Sequence, residues 1–189
     1  MAKSVKLKEK LDESVICAGF GGQGIMVLGK VFATAAMDMG YQVTWLPSYG
    51  AEVRGGTAHS MVRISTGPIA SPIVSSPTSG VIMNTPSLDK FEKAFVQGAL
   101  LILNSSMTDR KVKRKDLDLV EAPLTDEAIK IGNVRVANII AAGIYIAKKN
   151  IISTDAVTSI IEKMAEGREH LIPVNIKALE RGIEIGGSR

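Results

Sequence analysis

The fold is decided by Val15-Ile-Cys-Ala-Gly-Phe-Gly-Gly-Gln-Gly24 and the segment that follows it. The apolar run before the first glycine predicts a buried strand, and the apolar spacing over 25–39 predicts a helix that ends at Gly40. Residues 41–46 are rich in strand formers, and Pro47 is expected to end that strand. This β-α-β unit predicts a right-handed connection between two parallel strands.

The rest of the chain extends an α/β pattern. Polar and apolar residues alternate over 58–64, which predicts a half-exposed strand, and the prolines that follow imply edge strands and turns. Further strands are predicted at 80–84, 99–104 and 117–121. Helices are predicted at 87–95 with Ser87 as the cap, 125–132, 133–149, from 153 or 154 to 167, and 174–180 with its end at Gly182. The predicted fold is a Rossmann-like α/β sandwich with a largely parallel sheet, mixed edge strands and a helical C-terminal section.

Composition limits the function classes. The 189 residues, 46% hydrophobic and 22% charged, suffice for one core. We expect a charged N-terminal extension at 1–13, a single α/β domain at 14–184 and a tail at 185–189. One cysteine and two histidines cannot ligate an iron-sulfur cluster or a structural zinc, so redox chemistry needs a partner's centre. The longest apolar run, 139–147, is too short for a bilayer and 1–13 lacks a signal-peptide core, which favours a cytoplasmic location.

A glycine loop follows the first predicted strand and fits G-x-G-x-x-G. Glycines let a ligand approach the backbone, and the start of the next helix favours an anionic group. A dinucleotide site also needs an acid about 20 residues further on, and 43–46 contains none. The loop therefore has three interpretations: an NAD site, a site for the anionic group of another ligand, or a structural turn. Its candidate binding residues are Gly19, Gly21, Gly22, Gln23 and Gly24, with positive φ expected at Gly21.

A second glycine-rich segment, 48–56, follows the next predicted strand. Ligands of open α/β sheets bind beyond the carboxyl ends of strands, so this segment is expected to face the first loop across one pocket. An arginine there can bind a carboxylate or phosphate through two hydrogen bonds, and adjacent glycines admit a cofactor. A surface Arg54–Glu52 pair is the alternative. The candidate residues are Ser48, Tyr49, Glu52, Arg54, Gly55 and Gly56.

Three other features have simpler interpretations. Cys17 lies in an apolar strand and is interpreted as a core residue rather than a catalytic thiol. His59 is interpreted as a surface or interface residue. The run 110–115 contains five positive charges, which suit an acidic partner, coenzyme A phosphates or nucleic acid, but a solvated loop is favoured because no aromatic residues are interleaved.

The two glycine-rich motifs, in this order and separation, resemble the γ subunit or γ domain of 2-oxoacid:ferredoxin oxidoreductases. The resemblance rests on Gly19-Phe-Gly-Gly-Gln-Gly24, Ser48-Tyr-Gly-Ala-Glu-Val-Arg-Gly-Gly-Thr57 and Val62-Arg-Ile-Ser65, and extends over 14–184. One departure is Ala51, where many members have proline. Such a substitution loosens the loop and keeps its charged pair.

The resemblance implies one part of a multi-subunit enzyme. That enzyme decarboxylates a 2-oxo acid on thiamine diphosphate with magnesium, passes electrons through iron-sulfur clusters to ferredoxin, and hands the acyl group to coenzyme A. This chain would hold none of these cofactors alone, supply no catalytic or metal-ligating residue, and be inactive without α and β subunits, with δ as a further candidate. Ferredoxin would be reached through the complex, and a coenzyme A contact is one open role beside closure over the catalytic subunits. Gly56-Thr57-Ala58 and 84–91 slightly favour 2-oxoglutarate over pyruvate or branched-chain acids.

Two other function classes remain as alternatives. The glycine loop alone also fits a stand-alone nucleotide-binding regulatory module. An RNA-binding protein, suggested by the basic run, ranks last because no nucleic-acid module accompanies that run. We therefore expect no nucleic-acid and no membrane partner.

Overall fold

The computed structural model describes residues 10–48 and 57–188, which form a six-stranded sheet with helices on both faces. The strands are β1 (Asp12–Gly19), β2 (Gln42–Ser48), β3 (Ala58–Ser65), β4 (Ser79–Ile82), β5 (Leu100–Asn104) and β6 (Asp118–Ala122). The helices are α1 (Ile25–Asp38), α2 (Thr85–Phe91), α3 (Leu124–Ile131), α4 (Ala137–Lys149), α5 (Thr154–Met164) and α6 (Ile172–Gly187). The predicted α/β sandwich with a helical C-terminal section is confirmed.

The strand order is β2-β3-β1-β4-β5-β6. Strands β1, β4, β5 and β6 are parallel neighbours, while β3 pairs antiparallel with both β1 and β2. The first two strands do run in the same direction, as predicted, but β3 lies between them. Strand β2 also continues through Pro47 instead of ending there. An edge strand tolerates proline because it has ladder hydrogen bonds on one side only.

The sheet carries a different core on each face, because successive strand residues point to opposite sides. On the larger side, Val15 and Cys17 of β1 pack with α1, α4 and α5. On the other side, Ile16 and Ala18 pack against Leu88 of α2 and the residues that follow it. The central strands are therefore buried on both faces, as parallel strands require, whereas the edge strand β2 is largely exposed.

The boundaries of two helices, α2 and α6, differ from those predicted. Helix α2 begins at Thr85, and the side chain of Asn84, not that of Ser87, caps it by accepting a hydrogen bond from the Ser87 backbone N–H at 2.9 Å. Helix α6 starts before 174 and runs through Gly182 to Gly187. Gly182 is a packing residue rather than a helix terminator, because a Cβ there would overlap the Ile140 carbonyl oxygen of α4.

The first and last regular elements extend beyond the expected domain limits. Strand β1 starts at Asp12 and α6 ends at Gly187. Glu13 is buried, with its carboxylate 3.1 Å from Lys149 Nζ and within hydrogen-bond reach of the Ser79 hydroxyl. Burial, and then the nearby Glu13 charge, raise the pKa of Tyr145, whose hydroxyl also contacts that carboxylate. This polar cluster joins β1 to α4. The division of the chain into an extension at 1–13, a domain at 14–184 and a tail at 185–189 stays a prediction.

Among the helices of the described residues, none combines the length and the apolar character needed to cross a membrane.

Candidate functional site

The candidate site lies where the chain leaves the carboxyl end of β1 and enters α1. The glycine loop fills this connection, and the carboxyl end of the neighbouring parallel strand β4 lies beside it. From β1 the chain goes on to β2 and β3 on one side of the sheet, whereas β4, β5 and β6 lie on the other. Open α/β sheets bind ligands at such a change of direction.

Gln23 ties the loop to the sheet. Its side-chain Oε1 accepts a hydrogen bond from the Phe20 backbone N–H at 2.6 Å, and its Nε2 donates to the Met83 carbonyl at 3.3 Å. Gln23 therefore has a structural role, because both ends of its amide are bonded within the protein.

Positive φ values occur at Gly22 (91°) and Gly24 (72°), so the expectation of positive φ at Gly21 is wrong. Glycine adopts this conformation without the steric cost that a Cβ imposes. The Asn138 Nδ2 donates to the Gly24 carbonyl at 3.1 Å, and a Cβ on Gly24 would overlap the same amide. Gly24 is thus required by both its backbone conformation and its neighbour on α4.

Helix α1 starts without a protein cap. Gly24 occupies the N-cap position, no side chain of the described residues caps the helix there, and the first turn contains no acidic residue. The first N–H groups of a helix need acceptors, and the helix dipole favours a negative charge at this end. The start of α1 is therefore suited to an anionic group of a ligand.

Three cavities open along the loop, and Gly22 lines all of them. One, of about 250 Å³, lies against Met26 and Ala58. A second, of about 290 Å³, lies against Met83 and Val134. The third, also about 290 Å³, reaches α4 and the connection between α5 and α6. The glycine loop is thus the common wall of a branched cleft.

Within the described residues, the glycine loop and the two ends of the second motif lie at the same edge of the sheet. Gly19 pairs with Ala58, and Ser48, exposed at the end of β2, pairs with His59. Both flanks of the second motif therefore lie at the edge of the sheet that carries the glycine loop. Its other candidate residues, Tyr49, Glu52, Arg54, Gly55 and Gly56, lie outside the described residues, and their role stays a prediction.

Three residues of the cleft were missed from the sequence. Asn138, Arg135 and Arg168 line the third cavity. Asn138 and Arg135 lie within 14–184, over which the resemblance to the γ family extends, but no role was assigned to them. Arg168 lies in the α5–α6 connection and gives no local signal.

The structure confirms the core interpretation of Cys17 and revises that of His59. Cys17 is fully buried, and burial raises the pKa of its thiol. His59 is half-buried, with its ring centroid 5.1 Å from that of Phe91. Burial, followed by the charge of Lys90, lowers the pKa of His59. The histidine is therefore favoured in its neutral form at pH 7 and packs against an aromatic ring while staying partly exposed, and its role at an interface stays a prediction.

The basic run folds as a loop around Glu92. Arg110 forms ion pairs with Asp89 at 2.7 Å and with Glu92 at 2.8 Å. Backbone N–H groups of Lys113 and Arg114 donate to the Glu92 carboxylate. Burial raises the pKa of Glu92, but these hydrogen bonds together with those from Arg110 outweigh it, so that the net pKa is lowered. The lysines at 111, 113 and 115 are exposed, as expected for a solvated loop.

Glu92→Gln is expected to lower the free energy of unfolding by about 1–3 kcal/mol at pH 7, because it weakens charge-assisted hydrogen bonds to a buried acceptor. A lowered folded-state pKa stabilises the protein above the unfolded pKa of about 4.3, and that contribution is lost as pH falls through the folded pKa. Urea unfolding from pH 7 to pH 3 should show the two proteins converge in acid. The control is Glu166→Gln at an exposed glutamate; an equal loss in both variants would contradict the assignment.

Together, the fold and site define a Rossmann-like α/β protein with a glycine loop and an uncapped helix start at the carboxyl edge of its sheet. Residues 14–185 match the model of the pyruvate ferredoxin/flavodoxin oxidoreductase family. The chain belongs to that family, which confirms the resemblance at family level.

Two curated relatives represent different substrate classes. The chain is 33% identical over 168 residues to ketoisovalerate oxidoreductase subunit VorA of Methanothermobacter marburgensis, covering 88% of this chain and 35% of that protein. It is 29% identical over 186 residues to 2-oxoglutarate synthase subunit KorC of Methanocaldococcus jannaschii, covering 95% of this chain and 97% of that protein. The chain thus spans about a third of VorA and nearly all of KorC. The preference for 2-oxoglutarate is therefore not confirmed.

Solved structures agree in fold. The γ subunit of a keto/oxoacid ferredoxin oxidoreductase from Geobacter sulfurreducens matches with a TM-score of 0.82 and 26% identity over 94% of this chain and 99% of that one. The 2-oxoglutarate:ferredoxin oxidoreductase from Magnetococcus marinus, solved with 2-oxoglutarate, coenzyme A and succinyl-CoA, matches with a TM-score of 0.86 and 20% identity over 96% of this chain and 32% of that one. At that identity the second match supports the fold alone.

Proposed function

We propose that this chain is the γ subunit of a multi-subunit 2-oxoacid:ferredoxin oxidoreductase and that it contributes part of the coenzyme A site. The enzyme would convert a 2-oxo acid and coenzyme A into acyl-CoA and CO2, with transfer of electrons to ferredoxin. The observation that carries the proposal is an uncapped helix start behind a glycine loop, opening on a branched cleft, in a member of this family.

Among the substrates and cofactors of the proposed reaction, coenzyme A is the one that we propose this chain binds. Its diphosphate is an anion of the kind that the start of α1 favours, and Arg135 and Arg168 line the same cleft. The iron-sulfur clusters are proposed to lie in other subunits, because one cysteine cannot supply the four thiolates of a cluster. Thiamine diphosphate and magnesium are proposed to lie there too, on the family resemblance alone. The second motif, with Ser48, Tyr49, Glu52 and Arg54, is proposed as the opposite wall of the coenzyme A site.

The 2-oxo acid itself is proposed as 2-oxoglutarate on the sequence features alone. Relatives named for ketoisovalerate and for 2-oxoglutarate both support a 2-oxo acid as the substrate class. Comparing the assembled enzyme's kcat/KM for 2-oxoglutarate, pyruvate and 2-oxoisovalerate tests this choice.

A subtraction assay tests the proposed function. The complete complex should reduce ferredoxin with a 2-oxo acid and coenzyme A, whereas the complex prepared without this chain should not. Adding the purified chain back should restore the rate, and the chain alone should be inactive. A complex that keeps its full rate without this chain would contradict the proposal.

A further inference from the structure

The two edge strands of the sheet, β2 and β6, differ in charge. Strand β6 carries Asp118 and Glu121, both exposed, and charged side chains commonly protect an open sheet edge from pairing. Residues 41–48, which include β2, contain no aspartate, glutamate, lysine or arginine. Trp45 and Leu46 are each 37% exposed and, as successive strand residues, point to opposite faces. The β2 edge is therefore neutral and apolar on both faces, and an edge of this kind pairs readily with another strand.

The hydrogen bonds of β1 determine which backbone groups of the sheet face which neighbour. The Ser14 carbonyl accepts a hydrogen bond from the Thr78 N–H, just before β4, so the even-numbered residues of β1 bond toward β4. The Leu11 carbonyl accepts from the Thr66 N–H, just after β3. Backbone groups of a strand alternate in direction from residue to residue. The odd-numbered residues of β1 therefore bond toward β3.

The strand registers carry this alternation across to β2. Odd-numbered residues of β1 pair with even-numbered residues of β3, so the odd-numbered residues of β3 bond toward β2, where they pair with even-numbered residues. The odd-numbered residues of β2, which are Val43, Trp45 and Pro47, thus direct their backbone groups away from the sheet. Pro47 fits this alternation, because an N–H on the outer side is not needed for the ladder. Over residues 10–48 and 57–188, no backbone hydrogen bond outside the ladders involves these three residues.

The outward groups of β2 are complementary to those of a second β2. When Val43 lies opposite Trp45 of the other copy in antiparallel order, the two residues of each pair exchange both of their hydrogen bonds. The two-fold axis then passes through Thr44. A register with Trp45 opposite Trp45 is less favourable, because the Val43 carbonyl would face Pro47, which has no N–H to donate. The register about Thr44 therefore satisfies every outward donor and acceptor of Val43 and Trp45.

Charge also favours a second copy of this chain as the partner. A two-fold axis brings identical residues close together, so a charged edge would repel its own copy. The neutral segment 41–48 has no such repulsion. Arg63, which pairs with Thr44 in the β2–β3 register, is neutralised by Asp12 at 2.8 Å. The edge thus meets the electrostatic condition for pairing with itself.

We propose that two copies of this chain associate through their β2 strands, which pair antiparallel about a two-fold axis at Thr44. The two six-stranded sheets then form one continuous sheet. Strand β3 separates this contact from the glycine loop at the end of β1, so the inference goes beyond the proposed function and does not depend on it. A complex that contains this chain would contain it in pairs.

Charge reversal at the axis tests the contact. In analytical ultracentrifugation of the purified chain, the mass should rise with concentration toward that of two chains. Thr44→Glu and Thr44→Lys are each expected to raise the dimer Kd at least about tenfold, because like charges then lie directly opposite each other. An equal mixture of the two variants should dimerise again, since the opposite charges attract. Thr154→Glu, at an exposed residue at the start of α5, is the matched control and should leave the Kd unchanged.

A disulfide tests the register. Opposite residues of a non-hydrogen-bonded pair have Cα atoms about 4.5 Å apart, within the range for a disulfide. Cys17, the one native cysteine, is fully buried, so the introduced thiol is the reactive one. Oxidised Thr44→Cys should therefore form a covalent dimer, whereas Thr154→Cys should not.

Three results would overturn the proposal. The first is a wild-type chain that stays monomeric at high micromolar concentration, which would leave another subunit as the partner of β2. The second is a dimer that Thr44→Glu does not weaken. The third is a mixture of Thr44→Glu and Thr44→Lys that stays monomeric, because the single variants would then have lost the dimer through misfolding. A dimer that Thr44→Cys fails to cross-link would overturn the register about Thr44.

Discussion

Gly24→Ala is expected to lower the assembled enzyme's kcat/KM for coenzyme A at least about tenfold. An added Cβ has to occupy positive φ (72°), and it overlaps the Asn138 amide. That amide has to move, which breaks its hydrogen bond to the Gly24 carbonyl and displaces the start of α1 from the cleft. Losing a hydrogen bond between the start of α1 and a charged group of coenzyme A corresponds to about 1.5–3 kcal/mol. Steady-state rates over a range of coenzyme A concentrations provide the measurement.

Gly98→Ala is the matched control. Gly98 has nearly the same φ, 74°, but a Cβ there meets no atom within 4 Å. Both variants carry the left-handed backbone cost of about 1–2 kcal/mol, and only Gly24→Ala disturbs the cleft. If Gly98→Ala lost coenzyme A turnover to the same extent, backbone strain alone would explain the result and Gly24 would lose its assigned role.

Gly182→Ala is expected to destabilise the fold by about 3 kcal/mol. Helices α4 and α6 pack closely at this point, so the added methyl group overlaps the Ile140 carbonyl and approaches Gly143 Cα at 2.9 Å. Backbone atoms cannot turn aside as a side chain can, and overpacking of this type costs about 1–3 kcal/mol or more. Chemical denaturation of the purified chain measures the loss.

Gly187→Ala, near the end of the same helix, isolates the packing effect. A Cβ at Gly187 meets nothing within 4 Å. Replacing glycine by alanine in a helix usually stabilises it, by up to about 1 kcal/mol. The two substitutions should therefore have opposite signs. Equal effects would show that α4 and α6 do not pack as described.

Local patterns were sufficient to predict the first strand and helix. The apolar run from Val15, the glycine loop and the periodic segment up to Gly40 each follow local rules of backbone conformation. The position of β3 between β1 and β2 was not predictable in that way, because strand order depends on long-range pairing. Gly182 shows the same limit: glycine normally signals a helix end, but here the neighbouring helix requires it.

Some features of the candidate site were likewise predictable from local sequence, and others were not. The position of the glycine loop after a strand was predictable because it is a local property of the sequence. Which glycines have positive φ was not, since they are Gly22 and Gly24 instead of Gly21. Asn138 and Arg168 were not, because their roles arise from the packing of α4 and of the α5–α6 connection against the start of α1. The role of His59 was inferred from the alternation of strand residues, whereas its partner Phe91 belongs to α2, an element distant in sequence.

The most direct test of the account is coenzyme A binding to the assembled complex with and without this chain. Equilibrium titration calorimetry on the two preparations measures it. We expect a coenzyme A site that is present only in the preparation that contains the chain and that is weakened by Gly24→Ala. Equal affinity in both preparations would contradict the claim that this chain forms part of the coenzyme A site.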